Sequence, residues 1–168
     1  MDDKIIAELK ETLWAPKQRT GGFSPRWTLQ VIQETVTPYW VLLYKNERRL
    51  KAALENIEFI RDNIVPKLIA YDNHELRLCH EVKSIILHIE MKLRASMFRK
   101  ESRWYHYRED YPLRDDENWL CWVKIQNVDG TMTFTKVPVP EEWRPDAHKP
   151  YAERYPQAFP NEPEVLPN

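Results

Sequence analysis

Residues 73–100 read NHELRLCHEVKSIILHIEMKLRASMFRK, and this stretch decides the class of fold. Its apolar residues recur at steps of three and four, the spacing that places side chains on one face of an α-helix. Those residues are Cys79, Val82, Ile86, Ile89, Leu93 and Met97. Asp72 or Asn73 is suited to cap the first turn. The pattern predicts one long helix that ends near Lys100.

Two further long helices are predicted upstream. The first begins at Ser24-Pro25, an N-cap followed by proline at the first helical position, and Pro38 is expected to kink or split it. The second begins near Asn46, and Pro66 is expected to close it or bend its last turn. Short links join the three helices, and none can bury its apolar stripe alone. They therefore predict an antiparallel bundle.

The N-terminal residues predict a smaller element. Apolar residues at helical spacing from Asp3 to Trp14, behind an acidic first turn, indicate a short amphipathic helix. Pro16 and the pair Gly21-Gly22 follow, so residues 15–23 are expected to form a surface loop.

Downstream of the long helix the periodicity changes. Residues 120–126 and 131–137 are rich in β-branched and aromatic side chains, and Gly130 lies in the link between them, which predicts a β-hairpin. Residues 138–168 contain eight prolines and little apolar periodicity. They predict an extended arm that straps onto another surface, with a disordered tail as the alternative.

The predicted fold class is therefore mainly α. It comprises an antiparallel bundle of three long helices with a short N-terminal helix, then a β-hairpin and an extended proline-rich arm. The predicted segments are the N-terminal helix and loop (1–23), the bundle (24–112), the acidic link and hairpin (113–137) and the arm (138–168).

Composition excludes several functions. The chain has 25 basic and 26 acidic residues, so no overall field favours nucleic acid. No apolar run is long enough to span a membrane, and we expect a cytoplasmic protein, soluble or peripheral to the inner membrane. Cys79 and Cys121 cannot supply four thiolates, and the histidines show no metal-ligand spacing, so no metal site is predicted. Three glycines without a G-x-G-x-x-G pattern predict that this chain alone binds no FAD or NAD.

Residues 98–119, here called the signature segment, read FRKESRWYHYREDYPLRDDENW. The order of Phe-Arg, Glu-Ser-Arg, a nearby histidine and arginine, Asp-Tyr-Pro and Asp-Asp-Glu-Asn-Trp resembles the C-terminal helical domain of the succinate dehydrogenase, fumarate reductase and adenylylsulfate reductase flavoproteins. Trp104, where the succinate enzymes have glycine, makes it most similar to the adenylylsulfate reductase α subunit. The resemblance covers about residues 31–137.

The resemblance implies a part of a redox complex. In those flavoproteins the FAD-binding domain, the capping domain and the catalytic histidines and arginines lie outside this C-terminal region. It implies that FAD and iron–sulfur clusters belong to partner subunits. The expected partners are an FAD-binding flavoprotein subunit and, as a further candidate, an iron–sulfur subunit of ferredoxin type.

The signature segment also supplies the candidate site residues. Its arginines and carboxylates are close enough in sequence to form bidentate pairs, and its aromatic residues offer flat faces for packing or for a partner. The predicted partner or interdomain interface consists of Arg99, Glu101, Arg103, Trp104, His106, Arg108, Asp110, Tyr111, Asp115, Asp116 and Trp119. His106 is the one histidine to consider as a proton donor or polar contact beside a flavin, although a structural role is the simpler interpretation.

Three functions remain open on the sequence. The first is an accessory, non-FAD-binding subunit of a flavin-dependent oxidoreductase complex that docks on a separate flavoprotein chain. The second is a stand-alone interaction or scaffold module that reuses the flavoprotein bundle. The third is a self-sufficient enzyme, which the absence of a dinucleotide motif disfavours. We expect a chain that is not catalytic alone.

Overall fold

The computed structural model describes residues 2–155, and helices dominate them. The helices are α1 (Asp3–Gln18), α2 (Pro25–Val36), α3 (Tyr39–Leu42), α4 (Glu47–Phe59), α5 (Asn73–Phe98), α6 (Asp116–Trp119) and α7 (Tyr151–Arg154). The strands are β1 (Tyr44–Lys45), β2 (Tyr107–Arg108), β3 (Cys121–Val128) and β4 (Thr131–Pro138). None of the helices within residues 2–155 is both long and apolar enough to cross a membrane. The prediction of a mainly α chain with one β-hairpin is confirmed.

The predicted helix starts follow from local capping. Ser24 Oγ accepts a hydrogen bond from the backbone N–H of Trp27, and Pro25 occupies the first position of α2. Asp72 Oδ1 accepts from the backbone N–H of Glu75 at 2.8 Å, so aspartate rather than asparagine caps α5. Each carboxylate or hydroxyl satisfies an N–H that the first turn cannot pair internally.

The prolines act as expected at two places and differently at a third. Pro38 separates α2 from α3, as predicted. After Phe59 the chain widens into a π turn (Ile60–Ile64) and then tightens into a 3₁₀ turn (Val65–Lys67), because Pro66 has no N–H for a regular ladder. The loop predicted from residue 15 was wrong at its start, since α1 continues through Pro16 to Gln18.

Tertiary contacts explain why α1 continues through its proline. Pro16 is buried, and its carbonyl accepts a hydrogen bond from the backbone N–H of Ala70 at 3.0 Å. Lys17 Nζ donates to Asn73 Oδ1 at 3.0 Å. A proline in the last turn removes one hydrogen bond, and these contacts hold that turn in place.

The chain divides into two compact units. Unit 1 comprises the residues up to Pro38 and Ala52–Glu90, and unit 2 comprises Tyr39–Lys51 and the chain from Met91 onward. The core of unit 1 includes Ile32, Ile57, Ile60, Leu76 and Val82, all of them buried.

In unit 1 the segment after α1 lies directly against the end of the π and 3₁₀ turns. Phe23 pairs with Leu68 in an isolated parallel bridge, in which the Phe23 N–H donates to the Lys67 carbonyl at 2.9 Å. Gly22 makes this close approach possible, because a Cβ at this position would lie 2.0 Å from the Lys67 carbonyl oxygen.

Unit 2 contains two small sheets. Strands β1 and β2 pair in parallel, with Tyr44 opposite Tyr107 and Lys45 opposite Arg108. Strands β3 and β4 form the predicted antiparallel hairpin, with registers from Cys121 opposite Pro138 to Val128 opposite Thr131. Asp129 and Gly130 both have positive φ, as a tight two-residue hairpin turn requires.

The described part of the arm returns to the acidic link of the same unit. Tyr155 donates its hydroxyl to Asp116, and the guanidinium of Arg114 lies 3.8 Å from the centre of the Tyr155 ring. A 3₁₀ turn (Glu141–Trp143) and α7 interrupt the predicted extended conformation. The prediction for residues 156–168 lies outside the described residues.

Candidate functional site

The candidate site residues lie in unit 2 at different depths. Glu101, Arg108 and Trp119 are buried. Arg99, Arg103, His106, Asp115 and Asp116 are half-buried. Trp104, Asp110 and Tyr111 are exposed. The buried members form a framework, and the exposed members include the aromatic surface it supports.

Glu101 is the centre of the first cluster. Its side chain is fully buried and pairs with Arg99 and Arg103, the latter through Nε at 2.9 Å and Nη2 at 3.0 Å. The backbone N–H of Asp115 donates to its Oε2 at 2.9 Å. Arg103 also reaches Asp116 at 2.7 Å. A buried carboxylate persists only when its lone pairs are satisfied in this way, so the cluster fixes the ends of the signature segment to each other.

Trp119 packs beside this cluster. Its ring meets Phe98 edge to face at a centroid distance of 5.6 Å, and Lys136 Nζ lies 3.5 Å from the ring centre. Asp115 caps the short helix that carries Trp119, because its Oδ1 accepts from the Asn118 N–H at 3.0 Å. Trp119, a predicted interface residue, is therefore an internal packing residue of unit 2.

Arg108 is the centre of the second cluster. It is fully buried and holds Asp110 through two hydrogen bonds of 2.7 and 2.8 Å. Its Nη1 donates to the Ser96 carbonyl at 2.6 Å, in the last turn of α5, and its Nη2 donates to Glu47 at 2.9 Å. A cation is favourable at the carboxyl end of a helix, where carbonyls lack partners.

Asp110 caps the amino end of another helix, α4. Its Oδ2 accepts from the backbone N–H of Glu47, the first residue of α4, at 2.9 Å. A carboxylate is favourable at the amino end of a helix. The pair Arg108–Asp110 therefore connects the last turn of α5 to the first turn of α4, and we call it the helix-end clamp.

The clamp predicts acid sensitivity. Hydrogen bonds from Arg108, and then from the Glu47 N–H, lower the pKa of Asp110 to about 2. A carboxyl whose pKa is lower in the folded state stabilises the fold above its unfolded pKa, and this contribution is lost as the pH falls from about 4 to about 2. Because the side chain is partly exposed, we expect about 1–2 kcal/mol.

The substitution Asp110→Asn is expected to remove the part of the unfolding free energy that is lost at acidic pH. Urea unfolding at several pH values from pH 5 to pH 2 measures this effect. Asp129→Asn, in the exposed turn of the β3–β4 hairpin, is the control and should keep the wild-type acid dependence. Equal pH profiles for the Asp110→Asn variant and the wild type would contradict the assignment.

Ser102 organises the turn between the two clusters. Its buried hydroxyl accepts a hydrogen bond from the Arg108 backbone N–H at 2.8 Å. The same hydroxyl donates a hydrogen bond to the Tyr111 carbonyl at 2.8 Å. Its own N–H donates to the Leu113 carbonyl at 2.9 Å. The sequence contained this serine inside the Glu-Ser-Arg motif, yet its role depends on backbone groups that the motif alone does not place.

The signature segment turns sharply at Trp104 and Tyr105, here called the aromatic tip. Arg103 and His106 exchange two backbone hydrogen bonds of 2.8 and 2.9 Å, which closes a two-residue turn. Trp104 has a φ of 52°, in the left-handed region that bulky residues rarely adopt. Trp104 is 57% exposed and Tyr105 is 79% exposed. Strained, exposed aromatic residues on a buried polar framework are typical of a contact surface.

His106 lies behind the aromatic tip as a neutral imidazole. Its Nε2 lies 3.2 Å from the Arg99 carbonyl, which only accepts, so Nε2 carries the hydrogen. Burial lowers the pKa of His106 to about 4, and the charges of Lys45, Arg99 and Arg108 act in the same direction. At neutral pH the uncharged imidazole therefore donates to the Arg99 carbonyl, and this hydrogen bond holds the ring in position.

Lys45 and Glu47 are the site residues that sequence reasoning did not identify. Lys45 is buried, and its ammonium donates to the carbonyl of Tyr105 at 3.1 Å. Glu47 receives the Arg108 guanidinium. Both are more than fifty residues away from the signature segment in sequence, and the parallel pairing of β1 with β2 brings them close to it.

Within residues 2–155, the glycines and cysteines do not fit a bound flavin or an iron–sulfur cluster. Gly22 serves a close backbone approach and Gly130 a tight turn, so neither cradles a pyrophosphate. The cysteines are the free Cys79 of unit 1 and Cys121 of unit 2, two short of a four-thiolate site. Within residues 2–155, no cluster of three or more potential ligands could hold a metal ion.

Solved structures of known proteins share this fold. Adenylylsulfate reductase from the hyperthermophile Archaeoglobus fulgidus matches 84% of the chain with a TM-score of 0.73 and 31% identity. Mycobacterium smegmatis Sdh1 in its apo form matches 99% with a TM-score of 0.71 and 18% identity, which supports the fold alone. The match spans 25% and 30% of those two chains, respectively.

Curated relatives agree with these structures. An uncharacterized FAD-dependent oxidoreductase of Methanocaldococcus jannaschii is 35% identical over 82 residues, 46% of this chain and 14% of the relative. The fumarate reductase flavoprotein subunit of Helicobacter pylori (strain 26695) is 29% identical over 106 residues, 58% of this chain and 15% of the relative. The chain thus spans about one seventh of these relatives.

The sequence model of one family covers most of the chain, from residue 30 to residue 154. That family is described as the fumarate reductase flavoprotein C-terminal domain, and its range includes the signature segment, the helix-end clamp and the β-hairpin. This chain therefore belongs to the family of fumarate reductase flavoprotein C-terminal domains.

Proposed function

We propose that this chain is an accessory, non-FAD-binding subunit of a flavin-dependent oxidoreductase complex. It docks on a separate flavoprotein chain of the fumarate reductase and succinate dehydrogenase type. The observation that carries the proposal is the aromatic tip, with two exposed aromatic side chains on a strained turn above two buried ion-pair clusters. The proposed fold of this subunit is the antiparallel bundle of three long helices predicted from the sequence.

The buried clusters support a rigid docking surface. Four arginines of unit 2, Arg49, Arg99, Arg103 and Arg108, are paired with carboxylates. These ion pairs compensate the arginine charges within unit 2, so the aromatic tip is held in place without a partner. A preorganised surface loses less conformational freedom on binding than a mobile loop does.

The chemistry of the surface favours a protein partner. Tryptophan and tyrosine supply a large contact area with few rotatable bonds, and both are enriched at the centres of protein interfaces. Tyr39 and Tyr44 extend the aromatic character along the same unit, with ring centroids 4.9 Å apart and both side chains exposed. The role proposed for this chain is to shape the complex, while the flavin and the iron–sulfur clusters belong to the proposed partners.

Trp104→Gly is the sharpest test of the surface. Glycine adopts a positive φ without strain, so we expect the variant to fold at least as stably as the wild type. Removal of the indole is expected to weaken capture of the flavoprotein chain about tenfold or more. The measurement is untagged purification of each variant from the native host, followed by flavin absorbance of the co-purified chain.

Tyr71→Ala provides the matched control. Tyr71 is 83% exposed and belongs to unit 1, whereas the signature segment belongs to unit 2, so its removal should leave capture unchanged. Recovery of the wild-type chain as a colourless monomer would contradict docking itself. If the Trp104→Gly variant captured the flavoprotein chain as fully as the wild type does, the docking surface would have to lie elsewhere than at the aromatic tip.

A further inference from the structure

Unit 1 contains a cavity of about 320 Å³ between the end of α1, the 3₁₀ turn and α5. Three charged side chains line it, together with a larger apolar wall. The apolar wall consists of Ala15, Pro16, Val65, Pro66 and Leu68. Apolar walls with a few charged groups are typical of small-molecule sites, and the volume is at the lower end of their range.

Hydrogen bonds hold the walls of this cavity in place. The Pro16 carbonyl accepts from the Ala70 N–H at 3.0 Å, at the end of α1. One turn earlier, Nε2 of His80 on α5 lies 3.0 Å from the Leu13 carbonyl oxygen. Because α1 is fixed to the rest of unit 1 at this end, the cavity exists before any ligand arrives. A preformed site loses less conformational freedom on binding.

Arg19 brings an unused hydrogen-bonding edge to the cavity. Its Nη1 donates to the Leu68 carbonyl at 2.5 Å, which anchors the guanidinium at the wall. Its Nε and Nη2 form no hydrogen bond with any residue that the structure describes. In unit 2 the same edge of Arg108 holds both carboxylate oxygens of Asp110, at 2.7 and 2.8 Å. The free edge of Arg19 therefore has the geometry that a carboxylate requires.

The charges of the lining favour a ligand with one negative charge. Arg19 and Lys83 are cations, and Glu11 is the acidic residue among the lining side chains. Neither cation forms an ion pair with the described part of the chain. The Cys79 thiol also lines the cavity, and burial, followed by the charge of Glu75, raises its pKa. The thiol therefore stays protonated and adds no negative charge.

We propose that this cavity binds a small monocarboxylate with an apolar body, of the aromatic or branched-chain type. The carboxylate pairs with the Nε–Nη2 edge of Arg19, and Lys83 supplies the second cation. The apolar body packs on the proline and leucine side chains of the wall. The site lies in unit 1, whereas the signature segment belongs to unit 2.

Nuclear magnetic resonance of the full, isotope-labelled chain tests this site. The protein is titrated at pH 7 and constant ionic strength with benzoate, with neutral benzamide and with acetate. We expect the Arg19 Nε–H resonance to shift saturably with benzoate. Benzamide lacks the charge and acetate lacks the apolar body, so each should bind at least about tenfold more weakly.

Three variants and a control make the assignment specific, with the Ala15 backbone amide as the common probe. Arg19→Lys should weaken benzoate binding about tenfold, since an ammonium cannot form the two-pronged contact. Lys83→Met should weaken it about threefold, and Glu11→Gln should tighten it about threefold by removing a repelling charge. Lys10→Met changes a lysine of α1 outside the lining and should bind as the wild type does. All four positions are exposed, so the variants should fold.

Three results would overturn the site. The first is the absence of a saturable shift with benzoate. Equal affinities for benzoate and benzamide would show an apolar cavity without a preference for anions. Unchanged benzoate affinity in Arg19→Lys would reject the two-pronged contact. None of these measurements involves the flavoprotein chain, so the outcome is independent of the docking proposal.

Discussion

Arg108→Met is expected to lower the free energy of unfolding by about 3–5 kcal/mol, the usual cost of removing one partner from a buried ion pair. Methionine fills a similar volume but leaves Asp110 and Glu47 without their cation. The Ser96 carbonyl in the last turn of α5 also loses its donor. Urea unfolding followed by helical circular dichroism at pH 7 measures the effect as a lower transition midpoint.

The position of the guanidinium predicts more than a loss of stability. Because Arg108 lowers the pKa of Asp110, the Arg108→Met variant should also lose the acid-dependent stability expected between about pH 4 and pH 2. Arg48→Met is the matched control, since Arg48 is exposed on α4 and its replacement should cost less than about 0.5 kcal/mol. Equal midpoints for the two variants would contradict the helix-end clamp.

Gly22→Ala is expected to lower the free energy of unfolding by about 2–4 kcal/mol through overpacking. The added Cβ would lie 2.0 Å from the Lys67 carbonyl oxygen and 2.8 Å from Cγ2 of Ile69. The carbonyl cannot move away alone, because it accepts the Phe23 N–H at 2.9 Å. The expected result is a lower midpoint and faster amide exchange at Phe23 and Ile69.

Gly21→Ala separates this contact from the general effect of replacing glycine. A Cβ at Gly21 would meet nothing within 4 Å, so this variant should be neutral or slightly stabilising. The contact would be refuted if the two adjacent alanine variants had the same midpoint.

Much of this fold was predictable because its signals are local. The pair Ser24-Pro25 indicates the start of a helix within two residues, and Gly130 indicates a hairpin turn. The three- and four-residue spacing after Asp72 produced the prediction of α5, with its end placed two residues too late. Each of these signals depends on groups fewer than five residues apart.

The rest depends on contacts between distant residues, which local patterns do not contain. Pro16 predicts a helix end, yet the Ala70 N–H holds the last turn of α1. Lys45 has no recognisable motif, and its burial beside Tyr105 follows from a two-residue parallel pairing. The signature segment identified the arginines and carboxylates of the site, whereas their distribution between the Glu101 cluster and the clamp required the three-dimensional arrangement.

The helix-end clamp also constrains when unit 2 can form during synthesis. Arg108 and its partner Glu47 are separated by 61 residues, and unit 2 combines Tyr39–Lys51 with the chain from Met91 onward. The first turn of α4 therefore emerges from the ribosome well before Asp110, the group that caps it. Contacts of such long sequence separation close late in folding. Nascent chains that end before residue 110 should remain open to proteases around β1, and longer ones should become resistant there.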